Sequence, residues 1–182
     1  METIVNKIPN RRAFLCGENA LKIGYPWLTY GAIIALEHIV NKEMKVLEFG
    51  SGGSTIFFAK NCKSLKSYET SQVWCDNVKE KIASEELKNV EILLCDRRRL
   101  RKGLEAEPDN YYDIALVDSD PKRSRRLHLA NNVVSKIKTG GWLIIDNYKG
   151  FGMSNFDYSK WQVFTFDEFR FMGLGTRLCK KI

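Results

Sequence analysis

The chain has 182 residues, with 29 lysines and arginines against 22 acidic residues for a formal charge of +7, and it is 44% hydrophobic. That length suits one domain, able to bury roughly 70% of its unfolded surface without staples. Five scattered cysteines form no C-x-x-C pair, and no apolar stretch reaches the ~18 residues of a membrane span; a disulfide framework, a zinc module, secretion and membrane insertion are therefore disfavoured, and a reducing, cytoplasmic setting is expected.

In chain order, Gly24 and Pro26 punctuate the sequence before Thr29, which is placed to cap a helix with apolar residues at helical spacing to Val40. This helix is expected to cover a ligand cleft. Strand 45–49, helix 54–61, strand 65–69, helix 72–84, strand 90–94, a short helix near 97–104, strand 113–118, helix 123–137 and strand 141–145 follow. The segment 147–160, rich in glycine, asparagine and aromatics, reads as a long loop. Residues 162–169 and 174–180 then read as two strands, joined through Gly173 and close enough to pair antiparallel. Strict alternation of strands and helices predicts an α/β fold: a three-layer doubly wound sheet, mostly parallel, with an antiparallel C-terminal pair. One domain over 1–182 is expected, with 1–44 as an N-terminal cap segment and 45–182 as the core.

The most informative stretch is Lys45-Val46-Leu47-Glu48-Phe49-Gly50-Ser51-Gly52-Gly53-Ser54-Thr55. An apolar run that ends in Gly-Ser-Gly-Gly ahead of a helix is a strand turning tightly into that helix, with few side chains to obstruct a ligand. Glu69 ends the next apolar run, where nucleotide-binding α/β folds place a carboxylate against ribose hydroxyls. A dinucleotide site needs a third glycine where this chain has Thr55, so a pyrophosphate seat is disfavoured.

A Glu-x-Gly-x-Gly-Gly turn instead resembles motif I of the class I (Rossmann-like) S-adenosylmethionine-dependent methyltransferases, and the resemblance runs from about Pro26 to Lys180. The antiparallel C-terminal pair agrees with it. The resemblance implies S-adenosylmethionine as cofactor, held by Glu48, Gly50, Ser51, Gly52, Ser54, Thr55 and Glu69, with Trp74 beside the adenine and Asp118 at the next strand end. Asp96 either accepts from the adenine amino group or caps the arginine-rich helix. Glu48 either orders the turn or meets the cofactor's amino end. Tyr25, Trp27, Tyr30 and Tyr148 are further aromatics for a cationic cofactor or for the core.

Asp118 and the pair Asp146-Asn147 are hard oxygen donors at the ends of neighbouring strands, suited to Mg²⁺. They resemble the site of the metal-dependent catechol-type O-methyltransferases. That family carries a lysine base three residues after the first aspartate; here Pro121 stands there and Lys122 is one position late. Asp118, Asp146, Asn147 and Lys122 are the catalytic candidates, the first three also the metal candidates. The clusters Arg97-Arg98-Arg99 with Arg101-Lys102, and Lys122-Arg123 with Arg125-Arg126, either attract an anionic partner or form solvated helix faces. His38 and His128 read as structural.

The reading is an enzyme that methylates an oxygen of a small-molecule acceptor, with or without a divalent metal. The tetrapeptide N-P-P-[YF] of many amino-group methyltransferases is replaced by Asp118-Ser119-Asp120-Pro121, which favours oxygen over nitrogen. An RNA methyltransferase using the arginine clusters for backbone binding, and a nicotinamide-dependent oxidoreductase, are the alternatives.

Overall fold

A computed structural model of the chain describes residues 17–118, 123–167 and 174–182. Its strands are β1 (Lys45–Phe49), β2 (Ser64–Glu69), β3 (Val90–Leu94), β4 (Tyr112–Val117), β5 (Ile137–Asp146), β6 (Trp161–Phe166) and β7 (Thr176–Lys181). Seven strands lie in one sheet in the order β3-β2-β1-β4-β5-β7-β6. The first five are parallel; β7 runs antiparallel to both β5 and β6. Chain order therefore reverses direction at β1, flanked by β2 and β4, which opens a crevice beyond the carboxyl ends of those strands.

The helices are α1 (Gly17–Ile23), α2 (Tyr30–Ile39), α3 (Gly53–Asn61), α4 (Gln72–Ser84), α5 (Arg97–Ala106) and α6 (Arg123–Val133). Successive strand residues point to opposite faces, so one short sequence feeds two cores. Val46, Leu116, Ile144 and Leu178 pack with Ala32, Ile33 and Leu36 of α2 and with Phe57 and Phe58 of α3. Leu47, Val117, Ile145 and Cys179 pack on the other face with Leu100 and Leu104 of α5 and Leu129, Ala130 and Val133 of α6. Full burial of each such large side chain is worth roughly 1.5–3 kcal/mol. The helix α4 joins through a third cluster, its Val78 packing with Leu21 of α1 and Ile56 of α3. No helix among the described residues is long and apolar enough to cross a membrane.

The central elements match the sequence expectation to within one or two residues, and the differences lie around them. Helix α1 was not foreseen. The helix expected to cover the cleft, α2, lies in the sheet's helical layer with its apolar face buried, and the hydroxyl of Thr29 makes no capping hydrogen bond to it. The sixth helix ends at Val133 in a 3₁₀ turn, Val134–Lys136, and β5 begins at Ile137 rather than 141. Gly140 and Gly141 disguised this. Tyr112 pairs with Ile137 but Ile114 pairs with Trp142, so extra residues are looped out between them, and Gly140 takes φ +78° there. A Cβ on Gly141 would lie 2.9 Å from the Asp113 carbonyl oxygen. The turn expected at Gly173 lies outside the described residues.

Candidate functional site

The crevice is built first by the turn after β1. Gly50 takes φ +94°, where a side chain would be strained, and its N–H donates to the Tyr68 carbonyl on β2 at 2.9 Å. Pairing of Phe49 with Tyr68 brings the next residue of β2, Glu69, beside the turn. Both the N–H and the hydroxyl of Ser51 donate to Glu69 Oε2, at 2.8 and 2.9 Å. The N–H groups of Thr70 and Ser71 donate to Glu69 Oε1, at 2.7 and 2.8 Å. Turn and acid are thus one hydrogen-bonded unit, with Glu69 only 6% exposed.

Below this unit, Glu48 is fully buried and accepts from the hydroxyls of Ser54, Thr55 and Ser67. Burial pushes its carboxyl up to about 7, although the three hydroxyls pull the other way. Thr55 Oγ1 also accepts from the Gly52 N–H at 2.8 Å. Of the two sequence readings of Glu48, the hydrogen bonds carry the one in which it orders the turn. The hydroxyls of Ser54 and Thr55 both bond to Glu48, and together the three side chains hold the turn's shape.

Two further residues brace the turn. A Cβ on Gly53 would fall 2.1 Å from the Tyr25 carbonyl oxygen and 2.5 Å from that of Ala20, so the backbone around α1 docks directly on the start of α3. Nothing in the periodicity of the sequence signals that contact. Trp74, on the first turn of α4, donates its indole N–H to the Ser51 carbonyl and lies against Gly52. Its indole also lines an open groove of about 330 Å³ between α1 and α4, with Leu21, Lys22 and Asn77. At the end of β3, Asp96 is exposed and accepts from the Arg99 N–H at 2.8 Å. It caps α5, and that hydrogen bond holds its carboxyl below the usual range.

The second half of the crevice lies at the ends of β4 and β5. The Asp118 N–H donates to the Phe49 carbonyl at 3.0 Å, which sets this aspartate beside the glycine turn. Asp146 ends β5 and accepts from the Thr176 hydroxyl of β7 at 2.9 Å. Asn147 takes φ +54°, a left-handed conformation that asparagine tolerates better than most residues. Burial drives the carboxyls of both Asp118 and Asp146 upward, repulsion from Asp118 adds to the effect on Asp146, and Arg126 opposes it for both.

Arg126 occupies the space among these groups. Its guanidinium, 4% exposed, donates to the Asp146 carbonyl at 2.9 Å, to Asn147 Oδ1 at 3.1 Å and to the Asp118 carbonyl at 3.1 Å, and pairs with Asp118 Oδ1 at 3.2 Å. The expected metal set of Asp118, Asp146 and Asn147 does gather at one place, but Asp118 Oδ1 and Asn147 Oδ1 are taken by an arginine and Asp146 Oδ1 by a threonine. As arranged, the residues do not fit a divalent cation. No group of three or more His, Cys, Asp or Glu among the described residues is placed to hold a metal. Lys122, the expected base, lies outside the described residues. Thr176 was missed in the sequence; its position opposite Asp146 depends on the β5–β7 register.

The family described as "Methyltransferase domain" matches residues 47–148. No curated protein matches the chain. Among solved structures, a candidate O-methyltransferase from Klebsiella pneumoniae is 15% identical with a TM-score of 0.66, covering 98% of this chain and 93% of its own. A candidate methyltransferase from Streptococcus mutans, solved in complex with SAH, is 16% identical with a TM-score of 0.63, covering 82% of this chain and 97% of its own. A tRNA (m1A58) methyltransferase from Aquifex aeolicus is 16% identical with a TM-score of 0.63, covering 82% of this chain and 66% of its own. At such identities the likeness is one of fold.

Proposed function

Because this chain belongs to the methyltransferase-domain family, we propose that it transfers the methyl group of S-adenosylmethionine to a hydroxyl of a small-molecule acceptor. The observation that carries the reading is the union of the glycine turn with Glu69. A side-chain-poor turn leaves room for an adenosine, and a carboxylate at the adjacent strand end is the acceptor its ribose hydroxyls require. The residues fit that group. Of the four donors on Glu69, only the Ser51 hydroxyl can swing away without moving the backbone, and a ribose hydroxyl would take its place.

When bound, S-adenosylmethionine supplies a methyl group made electrophilic by a positive sulfur. What is left to the protein is to hold an acceptor in line and manage its proton. Asp118 is half-buried whereas Asp146 is buried, so Asp118 is the carboxylate that opens on the crevice and meets the acceptor's hydroxyl. Asp146 stands behind it, held by Thr176. The four described cysteines are buried and unpaired, which suits a reducing compartment.

Thermal-shift titration tests the cofactor: S-adenosylhomocysteine raises the melting temperature and NAD does not. Methyl transfer to a panel of small hydroxyl compounds tests the acceptor class. The nicotinamide-dependent alternative is set aside with the family assignment. A second acceptor class, RNA, is favoured by one observation: Arg98, Arg99, Arg101 and Lys102 are all exposed along α5 beside the end of β3. Binding of an RNA duplex or loop that weakens steeply with salt would move the assignment there.

A further inference from the structure

Asp118, Asp146 and Asn147 have the chemistry of a hard-cation site, yet a cation from the chain itself already lies among them. Arg126 belongs to the first turns of α6, and the positions at +3, +4 and +7 from it, Leu129, Ala130 and Val133, are all buried. It therefore stands in the apolar stripe of the helix, pointed at the sheet. The Phe151 ring lies over its guanidinium, 4.6 Å from the ring centroid, covering it from the side of the loop after β5. The guanidinium meets two backbone carbonyls, one carboxylate and one amide oxygen drawn from the ends of two strands. This is the assortment of oxygens that a calcium or magnesium ion collects. Unlike a metal ion, the guanidinium cannot dissociate, and it does not lose its proton in proteins.

We infer that Arg126 is a built-in replacement for the divalent cation, so that the β4–β5 end of the crevice positions Asp118 with a fixed organic charge and works without metal. Arg126 is a positioning residue: it joins Asp118 to the β5 end and leaves the acceptor to Asp118. The inference rests on the proposed methyl-transfer reading only for the identity of the acceptor; the exclusion of metal stands on the geometry alone.

The test uses Mn²⁺ as a paramagnetic probe, titrated into the full-length protein and followed by electron paramagnetic resonance. The wild-type protein is expected to show no stoichiometric site at millimolar Mn²⁺. Arg126→Gln, which uncovers the oxygens, is expected to gain one site at least tenfold tighter, and adding Asp118→Asn is expected to remove it. A purely structural arginine would yield no such gain. One Mn²⁺ bound to wild-type protein and lost in Asp146→Asn would overturn the inference, as would a folded Arg126→Gln without a site. Should Arg126→Gln fail to fold, Arg126→Met carries the same comparison, since it keeps the length of the side chain and removes its charge and donors. Binding of S-adenosylhomocysteine, measured separately, reports on the proposed function, so the two readings fail independently.

Discussion

Thr176 on β7 stands directly opposite Asp146 on β5 and donates its hydroxyl hydrogen to the Asp146 carboxyl at 2.9 Å. The same hydroxyl oxygen accepts from the Thr29 N–H at 3.3 Å, so the residue before α2 and the last strand both bear on one carboxyl. Replacing this near-isosteric hydroxyl leaves a buried carboxyl short of a donor. Thr176→Val is expected to lower stability by about 1–3 kcal/mol in urea unfolding.

Asp146→Asn preserves the shape of the strand end but replaces the carboxyl with a group that cannot titrate. Turnover should fall at least tenfold while binding of S-adenosylhomocysteine stays within about twofold by calorimetry. Normal turnover in this variant would remove Asp146 from the mechanism.

Stability should also depend on pH through Glu48. Its carboxyl is raised from 4.5 to about 7 in the folded protein by burial. The folded state thus holds a proton that the unfolded chain has already released, and stability falls as pH climbs from about 4.5 to 7, by an amount on the order of 3 kcal/mol for this group alone. Asp118 and Asp146 are shifted in the same direction and add to the slope. Glu48→Gln mimics the protonated form. Urea midpoints measured between pH 5 and 8 should drop less steeply in the variant than in the wild type; parallel curves would show that Glu48 is ionised throughout.

For the cofactor, Glu69→Ala should weaken S-adenosylhomocysteine binding by roughly tenfold to a hundredfold, the worth of one or two hydrogen bonds to a charged acceptor. Ser51→Ala removes only the hydroxyl that competes with ribose, so its affinity should be equal to or tighter than that of the wild type. A large loss in Ser51→Ala would mean that the serine itself holds the ligand.

Gly53→Ala tests the docking of the α1 region on the turn. With backbone oxygens 2.1 and 2.5 Å from the added methyl, the strain cannot be relieved by rotating a side chain. A loss of at least about 2 kcal/mol is expected, read as an earlier urea midpoint; unchanged stability would show that α1 is free to shift.

The strands and helices from β1 to β4 were legible because each carries its own period and its own stop signal, and the glycine turn with Glu69 was legible because spacing alone fixes it. Other parts depend on distant neighbours. Gly140 and Gly141 look like a loop in sequence and are carried inside β5 as the irregularity between its two stretches paired with β4. Arg126 reads as one more surface charge in a basic cluster, and its burial follows from three segments converging on it. A signal for it did exist: it occupies the apolar phase of its helix, ahead of Leu129, Ala130 and Val133. The charged label concealed the position.

The seventh strand, β7, follows β6 in the chain yet lies inside the sheet, between β5 and β6. While a nascent chain is leaving the ribosome, β5 therefore presents a bare edge to its surroundings until residues 176–181 emerge, and such edges invite pairing with other chains. Asp146 likewise waits for its hydroxyl donor until that moment. The interval before β7 slots between its neighbours is thus a stage at which stray pairing with another chain has an opening.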